Sequence, residues 1–156
     1  MGGRSERVPP GTDCRITSSS SLLVVIVDTT VWIDYLRGTP TQETAWLDRE
    51  MARRRLGLID LILCEVLQGV RDPGTFLEVH DELLHFHVFA TGGVELATEA
   101  ARNFRVLRAQ GYTVRKTIDC WIATFCLMSG HELLHCDHDF DPFEKRLGLK
   151  VVHAEG

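Results

Sequence analysis

The chain has 156 residues, 44% hydrophobic and 25% charged, with a net charge of −5, which suits one soluble domain with a buried core. That charge excludes a protein held to nucleic acid by bulk positive charge, though not an RNA enzyme whose acids gather cations. No stretch approaches the ~18 apolar residues needed to span a membrane.

The opening MGGRSERVPPGTDCRITSSSS is rich in Gly, Pro and Ser and holds no apolar run. Residues 1–21 are therefore expected to be a disordered extension or a mis-assigned start rather than a signal peptide, leaving 22–156 as the domain. LLVVIV (22–27) reads as a strand buried on both faces of a parallel sheet. Asp28-Thr29-Thr30 leads into a short helix, VWIDYLRG, stopped by Gly38. An amphipathic helix is expected over 41–55 and a second strand over 56–59. Asp60 is placed to cap a helix over 61–70, and Asp72-Pro73-Gly74 to turn into another over 75–84. Residues 86–89 suit a third strand, and 94–110 a longer helix closed by Gly111. Thr117 opens the strongly apolar helix IDCWIATFCLMS, which Gly130 ends. The last strands are placed at 133–135 and 149–152. Strands alternating with helices at this spacing predict a three-layer α/β/α domain around a central parallel sheet. Cys14, Cys64, Cys120, Cys126 and Cys136 form no C-x-x-C pair, and four lie in apolar surroundings, so reduced core thiols are expected.

Residues 131–135, HELLH, match the H-E-x-x-H pattern of zinc peptidases. That pattern works on a helix, where residues four apart share a face. Here Gly130 ends the preceding helix and DHDFDP begins a turn, which leaves room for a strand and little more. Positions i and i+4 of a strand lie roughly 13 Å apart, too far for one zinc. The match is read as a coincidence.

The acids are another matter. Asp137 follows a short apolar strand as Asp28 follows the first, and ligands gather at the carboxyl ends of parallel strands. Glu65 and Asp119 each interrupt a mostly apolar helix, where a lone carboxylate is costly unless paired or metal-bound. Each has an ordinary use as well. Asp28 suits a helix cap, Asp119 a first-turn acid, Glu65 an ion pair and Asp137 a turn. All four on one predicted edge are harder to assign to such uses.

The segments VDTTVWIDYLRG (27–38), CEVLQGVRD (64–72), TIDCWIATFC (117–126) and LLHCDHDFDPF (133–143), in this order and spacing, resemble the PIN-domain ribonucleases, in particular the VapC toxins of bacterial toxin–antitoxin pairs. The resemblance covers about 22–153. It implies a PIN-like fold, a cytoplasmic protein, and an acidic site on Asp28, Glu65, Asp119 and Asp137, with Thr30 beside the metal and Asp139 and Asp141 as helpers or turn residues. His135 stands where many relatives carry Thr or Ser.

Carboxylates about 5 Å apart repel by roughly 3 kcal/mol per pair at an effective dielectric near 20, so converging acids call for a cation or a proton. Oxygen ligands select Mg²⁺ or Mn²⁺ over zinc. Asp28 and Asp119 are the expected principal ligands, with Glu65 or Asp137 positioning or deprotonating the attacking water for phosphodiester hydrolysis. Arg115 and Lys116 adjoin the site as phosphate contacts, together with Thr30 on the substrate side. Arg102, Arg105 and Arg108 form either a second basic stripe or a solvated face. The resemblance further implies a homodimer neutralised by a VapB-type antitoxin. Trp32, Tyr35 and Trp46 are its expected docking surface, with a core role for Trp32 as the alternative. Two other classes compete: a PIN-like module that binds RNA or protein without catalysis, and the zinc peptidase.

Overall fold

The apolar run at 22–27 becomes a strand only at Val25–Val27 (β1), where all three residues are buried. Leu22 and Leu23 remain exposed. The computed structural model describes residues 22–155, so the expectation for 1–21 lies outside the described residues. Asp28 then caps α1 (Thr29–Arg37), which ends at Gly38 in the left-handed region. Thr41 caps α2 (Gln42–Glu50) through a reciprocal capping box with Thr44. The strand β2 (Leu56–Ile59) is buried throughout. It runs directly into α3 (Asp60–Gln68), and α4 (Pro73–Leu83) follows with Asp72 as cap and Pro73 in its first turn. Next come β3 (His87–Phe89), α5 (Val94–Ala109), α6 (Thr117–Ser129) and β4 (Glu132–Leu134). A single 3-10 turn (His138–Phe140), α7 (Asp141–Leu147) and β5 (Lys150–Val151) complete the fold.

All strand pairs are parallel, in the order β3-β2-β1-β4-β5. The chain therefore builds outward from β1 to β3, then returns to the other side of β1. Right-handed crossovers made in opposite directions put their helices on opposite faces. The helices divide accordingly: α1 packs on α2 and α3, and α3 on α4, while α5 packs on α6 and α7. This is the expected three-layer architecture. The strand order reverses between β1 and β4, and the carboxyl ends of the strands at such a reversal are the usual ligand position of such sheets.

The core is continuous from the sheet to both helical layers. Gly57 sits in β2 where a Cβ would come within 2.7 Å of the His87 carbonyl oxygen, so only glycine admits β3 at that distance. Thr124 accepts a hydrogen bond from the Asn103 amide at 3.0 Å, joining α6 to α5.

Some expectations are corrected. The helix expected over 41–55 stops at Glu50, after which residues 51–53 continue as turns. The acid-rich stretch read only as a turn continues into α7, since Pro142 in a first turn is compatible with a helix. Trp32 is fully buried and Trp46 nearly so. Those two rings belong to the core rather than to a docking surface. Cys120 and Cys126 are buried free thiols as expected, but Cys64 and Cys136 are exposed. Apolar neighbours in sequence did not tell which helix face or loop side they would occupy.

Candidate metal centre

Asp28 follows the carboxyl end of β1, and Asp137 lies just past that of β4. The Asp28 amide donates to the Leu134 carbonyl at 2.9 Å, which extends the β1–β4 pairing by one step and locks the two strand exits together. The Asp28 side chain is buried and accepts from the Thr30 hydroxyl at 2.8 Å and the Thr30 amide at 3.3 Å. Burial nevertheless raises its pKa, those hydrogen bonds oppose the shift, and Glu65 adds to it. Asp137 begins the 3-10 turn, and its Oδ1 accepts from the Asp139 amide at 2.9 Å.

Asp119 enters from the first turn of α6 and is 5% exposed. Its Oδ2 is buried and has no hydrogen-bond partner. Carboxylate oxygens of Asp119, Asp137 and Asp139 all lie within 4.8 Å of one another. Burial, and then the charges of Asp28, Asp137 and Asp139, push the Asp119 pKa up to about 7 against the opposing pull of Lys116. The Lys116 ammonium lies 3.6 Å from Asp137 Oδ2 and 4.0 Å from Asp119 Oδ2.

Glu65 reaches the site from α3, half-buried, and accepts from the Thr29 hydroxyl at 2.6 Å. It couples to Asp28, and Asp28 in turn to Asp119. The four expected acids are thus brought to one edge. Thr30 turns its hydroxyl to Asp28 and lies 3.3 Å from the Cys136 sulfur. Arg115 is exposed. Arg102 pairs with Glu99 on its own helix, so that part of the arginine stripe is a solvated face. Asp139 joins the cluster, whereas Asp141 pairs with Lys145 and His138 at the start of α7. Sequence alone left the two indistinguishable within DHDFDP. Thr29 was missed altogether, although its place beside Asp28 was the available signal.

The histidine motif falls apart in three dimensions. His131 is buried at the opposite, amino end of β4, between Phe89 and Phe125. Glu132 pairs with Arg54. His135 lies beyond the carboxyl end with its ring on Phe140, and neither ring nitrogen has a hydrogen-bond partner. Burial lowers its pKa, against the opposing pull of the Asp141 and Glu144 charges. A cavity of about 820 Å³ opens beside His131 and is lined by Arg54, His85 and His87. It contains none of the four acids. A smaller cavity of about 300 Å³ adjoins Asp137 and His135.

The acids suit a hard divalent cation. They offer oxygen donors only, and the unpartnered Asp119 oxygen is a buried acceptor that a cation would satisfy. Divalent binding should therefore weaken as pH falls through about 7, where Asp119 takes up a proton. Because its folded pKa is raised, the folded state holds the extra proton between about 4 and about 7. The cation-free protein should lose stability as pH rises through that window, and Mg²⁺ should restore it above the window. Thermal melts across pH of the unaltered protein and Asp119→Asn, with and without Mg²⁺, check both signs, because their difference cancels the opposite contribution of buried His131 and His135. A cation-free unaltered protein that gains stability relative to Asp119→Asn from pH 5 to 7 would contradict them.

The PIN domain family model matches residues 25–145. The VapC ribonuclease Mb1587 of Mycobacterium bovis and the ribonuclease VapC11 of Mycobacterium tuberculosis are each 27% identical over 131 residues, spanning 83% of this chain and 98% of theirs. Among solved structures, VapBC2 from Rickettsia felis bound to a promoter DNA fragment aligns with a TM-score of 0.68 at 12% identity, covering 83% of this chain and 98% of that one. DNA-bound VapBC from Salmonella typhimurium aligns at 0.65 and 18% identity, covering 85% and 98%. At such identities the structural likeness speaks to the fold alone.

Proposed function

The chain belongs to the PIN domain family, and from that premise we propose that it is a divalent-cation-dependent endoribonuclease serving as the toxin of a toxin–antitoxin pair. The observation that carries the proposal is the buried Asp119 oxygen without a partner, within 4.8 Å of Asp137 and Asp139, at the reversal point of the sheet. The Lys116 ammonium, at 4.0 Å, is too far away to hydrogen-bond this oxygen, so its burial is not compensated at hydrogen-bond distance. The curated relatives are named as ribonucleases, and they match over nearly their whole length.

Asp28 and Asp119 would hold Mg²⁺ or Mn²⁺, with Asp137 and Asp139 completing the acidic shell. Bound there, the cation supplies charge neutralisation on the phosphate and lowers the pKa of water. Glu65, oriented by Thr29, is placed to align the attacking water and accept its proton. Thr30 positions Asp28 through its hydroxyl, which donates to the carboxylate. Arg115 is free to meet a phosphate from the exposed side of the site. The products are the two halves of a hydrolysed phosphodiester.

The similar solved structures are VapBC complexes. They support a VapB-type antitoxin as partner; a homodimer and a cytoplasmic setting are what the family resemblance implies. Among the described residues no helix is long and apolar enough to cross a membrane.

Purified protein should cleave RNA with Mg²⁺ or Mn²⁺, stop on chelation and recover when either ion is returned. Cation binding without cleavage of any cellular RNA pool would instead identify a catalytically silent binding module. Cleavage that survives complete chelation would overturn the role given to the acids.

A further inference from the structure

Lys116 breaks two local rules. It occupies the N-cap of α6, yet its side chain makes no capping hydrogen bond. A lysine also places positive charge at the helix end whose dipole is already positive. Ser, Thr, Asp or Asn would serve the helix better. Its ammonium explains the exception, because it spans Asp119 Oδ2 and Asp137 Oδ2 at 4.0 and 3.6 Å. The first of these is the buried oxygen that has no hydrogen-bond partner.

We infer that Lys116 is a built-in competitor of the divalent cation, occupying part of the acidic cluster until the cation displaces it. This rests on reading the acids as a cation site. A divalent ion within about 2.1–2.6 Å of those oxygens would repel an ammonium lying between them. The lysine can leave easily. Its side chain is 58% exposed, and its flexible stem lets the charge swing to solvent without disturbing the core. With the cation absent, the ammonium offsets part of the repulsion among the acids. With the cation present, it is released at the rim, within a side chain's length of the place where a phosphate would dock. One residue thereby holds the empty site together and raises the cation concentration needed to fill it.

The test measures Mn²⁺ binding by electron paramagnetic resonance, without RNA, at low ionic strength and about pH 8, where Asp119 is ionised. Lys116→Met and Lys116→Gln should each bind Mn²⁺ roughly threefold more tightly than the unaltered protein, as expected for losing an exposed competing charge. Lys116→Arg should remain near the unaltered value, and added salt should shrink the differences. Equal or weaker Mn²⁺ binding by both neutral variants would overturn the inference. So would a raised KM for RNA with unchanged Mn²⁺ affinity, which would leave Lys116 as a phosphate contact only. Asp119→Asn separates the two levels. If the unaltered protein binds Mn²⁺ and Asp119→Asn does not, while the Lys116 variants match the unaltered protein, only the competitor role falls. If the unaltered protein binds no Mn²⁺, the cation site itself is wrong and the inference goes with it.

Discussion

Asp119→Asn and Asp28→Asn should each reduce RNA cleavage by at least about a hundredfold, with a matching loss of divalent affinity. Both substitutions keep the side-chain shape and remove a charge. At Asp28 this matters doubly, because the residue also caps α1 by accepting from Thr30. Asparagine is as good a cap as aspartate, so α1 should start normally and the lost activity would report on the charge. At Asp119 the local protein is already paying to hold an anion, as its pKa near 7 shows. Asp119→Asn should therefore leave the cation-free protein at pH 8 as stable as before or more so. Activity and stability would move in opposite directions, which distinguishes a functional acid from a structural one. Glu132→Ala is the control, since it destroys the zinc-peptidase pattern while touching only the Arg54 pair. Near-normal cleavage by either asparagine variant, or its loss in Glu132→Ala, would refute the assignment of the acids.

Trp32→Ala should cost about 3–5 kcal/mol of stability, a large part of what holds a domain of this size together. The indole is fully buried, with its ring centroid 4.7 Å from Phe86 and 6.0 Å from Tyr35. It anchors α1, which packs on α2 and α3, in the continuous core. Truncation would leave a cavity the size of an indole, which neighbours on rigid elements cannot close. Chemical denaturation should show a large fall in midpoint with little change in slope. A variant of unchanged stability that had lost only affinity for a partner would restore the docking role that burial removes. Tyr35, half-exposed on the same helix, remains available at the surface.

Much of the fold is local information. Gly38 and Gly130 end helices in left-handed conformation, and Thr41 and Asp72 begin them. Each acts through the backbone of its immediate neighbours, so its effect is visible in a few consecutive letters. The run over 56–59 was likewise placed correctly, because a strand buried on both faces leaves little but apolar or small residues. The 41–55 helix and α7 were misjudged for the complementary reason. Arg54 leaves the helical path and pairs with Glu132, 78 residues away in sequence. A proline after an acid reads equally as a turn or a first helical turn.

By itself the sequence determined the alternation of strands and helices, the parallel sheet, and four acids on one predicted edge, each of which also suits an ordinary local use. The tertiary structure decided which groups meet. It separated Asp139, in the cluster, from Asp141, in a surface pair. It put Trp32 inside, where the sequence left a docking role and a core role both open. Above all it laid Lys116 between two carboxylates from different elements. The reason is range. Caps, turns and periodicity act over a few residues along the chain, whereas electrostatics and burial act over a few ångströms in space, and only the return of the chain beside β1 brings β4 and its acids within that distance.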